Sequence, residues 1–568
     1  MSTFADADSY PFDLGIEEGR HRALSIIPGS KNAEDDLDIT QLWISRGIVW
    51  YYAFNHEEAI YCFEKALESD KNSVMAHYWI SNCHGPNYNT ETMNREGFPS
   101  AKLAYDFARK AHELQQVPEI RSLLSDFEIA MVDALQCRFN PLSGIDDGEA
   151  IEQNTQAYVD AMHAVNKAHP NHPSVLCLYA EALLNISPWG LWDLNTGVPK
   201  EHAVKARAAI EQALVLAPNH PGLNHFMVHL MEMSPTPEVS LPSCAVLRKF
   251  FPSAGHLIHM PSHIYVLLGM WEDAVDANVQ ASVADALYVQ KEGIYNYYTG
   301  YRIHNLHFIA YAAMFQGQFE PAMNAAAEIK KNLPDDLLAN AIMNKFFEAF
   351  LSVERHVLIR FGRWEQILGM DAPADPKLHP YLTATHHYAS GIAHAVLGDT
   401  VAAKRELETL LTSAPLVPPE HVLHNNSCSD LLEIAVHMLQ GELKYRTENY
   451  DEAFWELEMA CSLSDELVYD EPWGWMQPPG HALGALLLEQ GRVAEAEARF
   501  RKDMDTRFYG RCHPNNIWAL KGLHSCLKRR QGNSELATEI AEIEAKIATF
   551  KTGDSKIEVA CMCARKKK

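Results

Sequence analysis

The sequence predicts an all-α fold in which helical hairpins stack into a solenoid. Prolines at helix starts mark boundaries between hairpins at Asn171–Pro173 and Asn219–Pro221, where the missing proline N–H costs nothing. Alanines on the second helix of a pair let the two helices approach closely. Segments of this pattern, each with a Gly or an aromatic residue at the turn, recur along the chain, most clearly at 47–66, 269–281, 317–329 and 491–500.

The period of this pattern indicates the type of repeat. A helix pair of about 34 residues is typical of tetratricopeptide (TPR) repeats. Stacked pairs of this kind curve into a superhelix whose concave surface is lined by the first helix of each repeat. Along that helix, positions 2, 5, 9 and 12 share one face, because residues three or four apart lie on one stripe. The sequence therefore predicts a TPR-like superhelix and the positions that line its groove.

The repeat pattern also suggests how the chain is divided. The central part departs from the rhythm at 137–150 and at a Tyr-rich insertion, 286–301. Insertions in a solenoid form loops on one face, where function often collects. The predicted segments are an N-terminal segment 1–35, N-terminal TPR-like repeats 36–136, central repeats 137–330, C-terminal TPR-like repeats 331–550 and a disordered tail 551–568.

Composition narrows the partners and the location. The 568 residues include 48 Lys and Arg against 74 Asp and Glu, a net charge of -26. This charge repels nucleic-acid phosphates and anionic lipid headgroups, so we expect neither nucleic acid nor membrane as a partner. The N-terminus lacks the layout of a signal peptide, and no apolar run reaches membrane-spanning length. With eleven scattered cysteines, reduced thiols and a cytoplasmic location are expected.

Histidines concentrate at the predicted groove positions of three consecutive first helices. In the helix that starts at Pro221, His225 stands at position 5 and His229 at position 9. One repeat of 34 residues later, His259 and His263 occupy the same two positions. The predicted patch consists of His225, His229, Glu232, His256, His259, His263, His304 and His307.

This concentration predicts a transition-metal site with those eight residues as ligands. Neutral imidazole is the commonest protein ligand for such metals, and helical spacings of three or four can present two nitrogens to one ion. A nitrogen-rich set favours copper, and iron or zinc are the alternatives. Pro261 should kink the helix that carries His256, His259 and His263. A hydrogen-bonded polar network and a pH-sensitive peptide groove remain alternatives.

Two further residues are candidates for proton transfer. Tyr311 stands at position 9 of the helix that carries His304 and His307. Glu181 stands at an approximate position 9 of the helix before the histidine patch, where it could bind the metal, orient a ligand or act as a general base. Both are predicted catalytic residues.

Several blocks outside the general repeat consensus carry a resemblance. AFNHEEAI, HPGLNHFMVHLMEMSP, GHLIHMPSHIYVLLGMWEDA, HNLHFIAYAAMFQG and HPNNIWALKGL resemble blocks in a widespread group of bacterial and fungal TPR-repeat proteins, over most of the chain. The resemblance implies the fold and no particular activity. Chaperone-binding TPR domains use lysine and asparagine at groove positions, whereas position 5 here carries Ile44, His225, His259 and His307. A peptide-carboxylate adaptor is therefore disfavoured.

The leading functional hypothesis is a metal-dependent oxidoreductase. It would use one or two His-coordinated copper or iron ions with O2 on a small organic substrate. No Walker loop, GxGxxG, HExxH or GxSxG motif points to another enzyme class. The alternatives are a TPR scaffold that binds a protein partner through its groove without catalysis, a zinc-dependent hydrolase, and metal storage or delivery.

Overall fold

The structure is a computed structural model that describes residues 9–14, 39–89, 101–139, 148–507, 510–530, 534–552 and 557–564. Its contacts separate the chain into two compact units. The first comprises Met1–Ile264 and Gln280–Tyr298, and the second comprises Tyr265–Val279 and Thr299–Lys568. Regular structure in the described residues is almost entirely helical, which confirms the all-α prediction. The five segments drawn from the sequence stay a prediction.

The described part of the first unit contains twelve helices up to the point where the chain first changes unit. They are α1 (Ile39–Tyr52), α2 (His56–Ser69), α3 (Val74–Cys83), α4 (Ala101–Gln115), α5 (Pro118–Arg121), α6 (Asp126–Arg138), α7 (Gly148–Ala168), α8 (Pro173–Leu184), α9 (Glu201–Leu216), α10 (Pro221–Met231), α11 (Leu241–Phe250) and α12 (Gly255–His259), with a 3-10 turn at Pro237–Ser240. Two helices contain the residues at which the chain changes unit, namely α13 (Pro261–Leu267) and α14 (Trp271–Glu292).

The second unit continues in the same manner and adds one small hairpin of strands. Its helices are α15 (Thr299–Gln316), α16 (Phe319–Asn332), α17 (Asp335–Leu338), α18 (Ala341–Phe347), α19 (Val353–Arg360), α20 (Trp364–Leu368), α21 (Pro380–Leu397), α22 (Thr400–Ser413), α23 (Cys428–Arg446), α24 (Tyr450–Glu466), α25 (Pro479–Glu489), α26 (Val493–Asp503), α27 (Ile517–Arg529) and α28 (Ser534–Ala548). The 3-10 turns are Glu348–Ser352, Ala414–Leu416 and Met562–Ala564. Strands β1 (Val422–Leu423) and β2 (Asn426–Ser427) pair antiparallel, with Leu423 opposite Asn426.

Consecutive helices pack as pairs, and the pairs stack. In the first unit α1 packs on α2, α3 on α4 and α8 on α9, while the second unit pairs α15 with α16, α21 with α22, α23 with α24 and α25 with α26. First helices of neighbouring pairs also touch, as α8 touches α10 and α21 touches α23. This arrangement is that of TPR-like helical hairpins, as the sequence predicted.

Seven hairpin turns in the described chain have a residue in the left-handed backbone region, two residues before the second helix. Glycine occupies this place without a steric cost. Two turns use another residue there, Phe54 at φ 55° and Glu448 at φ 64°. The glycine turns are those of Gly269, Gly317, Gly362, Gly398 and Gly491. A side chain at this place costs about 1–2 kcal/mol. Contacts of the Phe54 side chain must therefore offset this strain.

The helix expected around Pro261 is divided rather than kinked. Helix α12 ends at His259, and α13 begins at Pro261. The His263 N–H bonds to the Met260 carbonyl at 3.1 Å. Because proline has no N–H and its ring collides with the preceding turn, the helix restarts there. His263 therefore lies on a different helix from His256 and His259.

The predicted disordered tail contains a described segment, 557–564. Within it Met562 and Cys563 are buried, and Arg446 of α23 donates a hydrogen bond to the Cys563 carbonyl. The thiols of Cys561 and Cys563 lie 3.0 Å apart. This part of the tail packs against repeats of the second unit, because its apolar side chains bury surface there.

Candidate metal centre

Six of the eight predicted ligands lie in the first unit, and each is at most 2% exposed. Helix α10 is buried along its whole length, and its spacing places His225 and His229 on one face. Glu232 follows directly after the last residue of this helix. The six residues are His225, His229, Glu232, His256, His259 and His263.

The ring of His225 is fixed by a distant backbone group. Its Nδ1 lies 2.6 Å from the carbonyl oxygen of Tyr52, the last residue of α1. A carbonyl oxygen only accepts, so Nδ1 carries the proton and Nε2 carries a lone pair. His225 Nε2 is buried and has no hydrogen-bond partner among the described residues. The lone pair is thus directed into the protein with nothing from the described chain to bind it.

Glu232 fixes two further rings. Nδ1 of His229 lies 3.1 Å from Oε1, and Nδ1 of His263 lies 2.9 Å from Oε2. Carboxylate oxygens accept, so both Nδ1 atoms are the donors, and a neutral imidazole that donates from Nδ1 carries its lone pair on Nε2. The buried Nε2 of His229 also lacks a hydrogen-bond partner in the described chain. A carboxylate in this position orients metal-binding imidazoles and raises their basicity.

His256 completes a group of three imidazoles with His225 and His229. Its ring lies 4.9 Å from that of His225, and the rings of His225 and His229 lie 4.7 Å apart. One nitrogen from each ring lies within 4.8 Å of the others. Tetrahedral nitrogen ligands at about 2.1 Å from zinc stand about 3.4 Å apart. Small ring rotations would therefore close this group on one ion.

A second group uses Glu232 itself. Glu232, His229 and His263 each offer one ligand atom within the same 4.8 Å. His263 Nε2 lies 2.8 Å from His259 Nε2. Since His263 Nδ1 donates to Glu232, its Nε2 accepts and His259 donates. His259, His263 and Glu232 therefore form a satisfied hydrogen-bonded chain, which is the polar network that the sequence left as an alternative.

The contacts of the Phe54 ring account for its left-handed backbone conformation. The ring lies 4.6 Å from His225, 5.4 Å from His256 and 6.0 Å from His229, stacked on the latter two. Left-handed conformations of non-glycine residues cluster at functional sites because the surrounding structure must hold them. Phe54 forms an apolar wall of the three-histidine group. Tyr88 adds another, with its ring 4.3 Å from that of His229 and its hydroxyl 3.3 Å from Glu232.

These surroundings determine the charge of the imidazoles. Burial lowers the pKa of His225 to about 3, against the opposing effect of the hydrogen bond to the Tyr52 carbonyl. Burial also lowers the pKa of His229 and that of His256, and neighbouring histidines add to the effect. All three rings are therefore neutral at pH 7. Neutral imidazole is the form that binds metal ions.

The remaining two predicted ligands lie on α15 in the second unit. His307 is fully buried, and His304 is partly buried. The structure brings them next to His424, a residue that the sequence did not suggest. His424 lies in the two-residue turn between β1 and β2 at φ 51°. No repeat position marks this residue, because it belongs to a connection and not to a helix.

Tyr311 of α15 has a hydrogen-bond partner from far along the chain. Its hydroxyl lies 2.9 Å from Nε2 of His513, and Nδ1 of His513 lies 2.8 Å from the Asp503 carboxylate. Burial raises the pKa of the Tyr311 hydroxyl, and Asp503 raises it further. The predicted role of Tyr311 in proton transfer stays a prediction.

Glu181 lies on α8 in the first unit. It is 3% exposed, and the Tyr51 hydroxyl donates to its Oε1 at 2.5 Å. Burial raises the pKa of Glu181, against the opposing effects of Arg138 and Tyr51. Tyr51 directly precedes Tyr52, whose carbonyl oxygen lies 2.6 Å from Nδ1 of His225. A catalytic role for Glu181 stays a prediction.

Fold and site together define a TPR-like helical-repeat protein with buried histidine groups. No protein-family model matches the chain, and a search of curated proteins finds no match. Among solved structures, human IFIT1, as a dimer with PPP-AAAA, is 14% identical and covers 95% of this chain and 96% of its own at a TM-score of 0.29. Yeast Tom70 is 12% identical and covers 89% and 92% at 0.28. At these TM-scores neither structure indicates a function for this chain. No helix of the described chain is long and apolar enough to cross a membrane.

Proposed function

We propose that the first unit binds a transition-metal ion through Nε2 of His225, Nε2 of His229 and one nitrogen of His256. One observation carries the proposal. The first two Nε2 atoms are fully buried without a hydrogen-bond partner in the described chain, while the opposite nitrogen of each ring is bound to an acceptor. This is the arrangement in which an acceptor holds Nδ1–H and the metal takes Nε2.

The energetics favour an ion over a metal-free network. A buried polar atom without a partner costs about 1–3 kcal/mol. The hydrogen-bonded chain through Glu232 accounts for His259 and His263, and it leaves the Nε2 atoms of His225 and His229 unexplained. A metal ion bound to both would satisfy them together. It would also suit the low-dielectric, aromatic surroundings, because neutral ligands need not lose a proton there.

The donor set bears on the choice of metal. Three neutral imidazoles favour copper or zinc, whereas inclusion of Glu232 as a ligand would suit iron. Copper remains our first choice. With copper or iron the centre could support the predicted O2-dependent oxidation of a small organic substrate, and with zinc it could support hydrolysis. Both activities are proposals that depend on the metal.

Metal stoichiometry tests the proposal. Full-length protein is freed of metal with a chelator, loaded separately with Cu²⁺, Zn²⁺ or Co²⁺, passed over a sizing column and subjected to elemental analysis. We expect His229→Gln and His225→Gln to bind one ion fewer per chain than the unmodified protein. The matched control is His220→Asn, which replaces an equally buried histidine by another residue suited to a helix N-terminus. Unchanged stoichiometry in both glutamine variants would refute the proposal.

Oxygen uptake tests the predicted reaction class. Copper- and iron-loaded protein is offered small phenols and amines in an oxygen electrode, with His229→Gln as the control. Substrate-dependent uptake that disappears in the variant would support the oxidoreductase. Metal binding with no uptake for any substrate would favour storage or delivery of the ion.

A protein-interaction scaffold is the second candidate, and the helical-hairpin fold favours it. TPR-like stacks present extended surfaces for binding, and the net charge of -26 favours a basic partner. The buried histidines cannot touch such a partner without opening of the structure, so it would use exposed surface. A partner that binds the metal-free protein and the His229→Gln variant with equal affinity would support the scaffold. Elemental analysis would confirm that the protein in that complex carries no metal.

A further inference from the structure

The second unit contains a histidine group of its own. Helix α15 carries His304 and His307 three residues apart, so both point to one side of the helix. The turn between β1 and β2 brings His424 to them, 120 residues later in the chain. His304 Nδ1 lies 3.1 Å from His424 Nε2, and the His307 ring lies 5.6 Å from the His424 ring, nearly parallel to it. One nitrogen of each residue lies within 4.8 Å of the other two.

His307 is the member of this group that hydrogen bonding leaves unexplained. Its side chain is fully buried, and both of its ring nitrogens lack a hydrogen-bond partner in the described chain. Buried polar groups are almost always paired, so a ring with two unpaired nitrogens calls for a ligand. The hydrogen bond between His304 and His424 involves only those two rings and not His307. Phe350 closes one side, with its ring 5.3 Å from His307 and 4.9 Å from His424.

The backbone conformation of His424 also supports a ligand at this group. The residue has φ 51° in a two-residue hairpin turn. Such a turn favours glycine where φ is positive, and a bulky residue there costs about 1–2 kcal/mol. A histidine held in this conformation next to two others suggests that its imidazole is needed. Burial lowers the pKa of His307, and His424 and His356 lower it further.

We propose that His304, His307 and His424 form a transition-metal site in the second unit. Each residue supplies one imidazole nitrogen, which is the donor set of copper or zinc centres that keep a further position for water or a substrate. His424 is the ligand that the sequence did not reveal. The site does not depend on the centre proposed for the first unit, because the two share no residue.

Two substitutions remove this site with little expected effect on folding. His424→Gly places glycine at a positive φ, which glycine adopts without strain. His307→Leu replaces a buried, unpaired imidazole by an apolar side chain, which removes an unsatisfied polar group. The matched control is Glu448→Gly, because Glu448 also has a positive φ, 64°, in the second unit and none of the candidate histidine groups includes it.

The experiment measures Co²⁺ or Zn²⁺ bound per full-length chain by elemental analysis, together with the visible spectrum of the Co²⁺ form. We expect His424→Gly and His307→Leu each to lose one ion per chain and its spectral bands, and Glu448→Gly to lose nothing. If both variants keep the full number of ions, the proposal is wrong. Loss in these variants with none in His229→Gln would refute the first-unit centre alone. The reverse pattern would refute the second-unit site alone.

Discussion

Nδ1 of His225 lies 2.6 Å from the carbonyl oxygen of Tyr52, a residue 173 positions earlier in the chain. The contact joins α10 to the end of α1, and the two helices pack directly in the first unit. It decides which nitrogen of His225 carries the proton, and so which nitrogen is available to a metal ion. The position of Tyr52 should therefore affect metal affinity.

Gly222 tests that relationship. A Cβ at this position would lie 2.4 Å from the Tyr52 ring and 2.8 Å from Cys177 Sγ. We expect Gly222→Ala to displace Tyr52, to lower the free energy of unfolding by about 1–3 kcal/mol and to weaken metal binding. Urea denaturation and a Co²⁺ titration measure the two effects.

Gly480 is the control for that substitution. It also follows a proline at a helix start, in α25, and a Cβ there meets nothing within 4 Å. Gly480→Ala should leave stability unchanged or raise it by up to about 1 kcal/mol. If the two alanine variants behave alike, close packing on Tyr52 is not what holds His225.

Glu232→Gln should weaken metal binding without removing the ligands. The amide keeps the shape of the carboxylate, yet it offers one oxygen acceptor where Nδ1 of His229 and Nδ1 of His263 now have two. Loss of such an orienting carboxylate typically lowers metal affinity 10–100-fold. Competition with a chromophoric chelator measures the change. Glu211→Gln, an exposed residue paired with Arg207 on α9, should have the affinity of the unmodified protein.

Phe54 should respond to alanine and glycine in an unusual order. Either variant loses the ring, at a cost of about 3–5 kcal/mol. At φ 55° glycine avoids the strain that alanine keeps, so Phe54→Gly should be more stable than Phe54→Ala by about 1 kcal/mol. Denaturation midpoints give the comparison.

Phe226 is the control for this comparison, because it lies at an ordinary helical position. It is fully buried inside α10, where glycine is about 1 kcal/mol worse than alanine. The order of the two variants should therefore be reversed. The same order at both positions would mean that the left-handed conformation of Phe54 is not under strain.

Metal-free protein should lose stability as the pH falls below about 6.5, the ordinary pKa of histidine. Burial lowers the pKa of His220 to about 3 and that of His56 to about 4. Below pH 6.5 these histidines are therefore protonated in the unfolded chain while they remain neutral in the folded chain. Each such histidine removes about 1.4 kcal/mol per pH unit, until the pH reaches the folded-state pKa. Stability from this source is complete above pH 6.5.

His220→Asn isolates one of these contributions. Nδ1 of His220 accepts from the Leu223 N–H at 3.3 Å, and asparagine can take over this bond at a helix start. The unfolding free energy is measured with urea at pH 7, 6 and 5. Its decrease per pH unit should be smaller in the variant by the contribution of one histidine, about 1.4 kcal/mol. An unchanged slope would show that His220 titrates normally in the folded chain.

Local pattern explains how much of the site was predictable. Side chains three and four residues apart share a helix face whatever the helix packs against, so the grouping of His225 with His229, and of His304 with His307, followed from spacing. The break at Pro261 was expected only as a kink, because how far a helix separates at a proline depends on its neighbours. Phe54 left one usable signal, an aromatic residue where five other hairpin turns have glycine.

The sequence by itself determined the helical-hairpin fold and the placing of histidines on shared helix faces of α10 and α15, since both rest on short-range periodicity and residue type. Only the tertiary structure decided which nitrogens are left without partners, because the acceptors that hold the other nitrogens come from packing. The Tyr52 carbonyl arrives from another repeat, and His424 arrives on a turn 120 residues away. Hydrogen bonds are directional and short, so their partners are chosen only when the helices have packed.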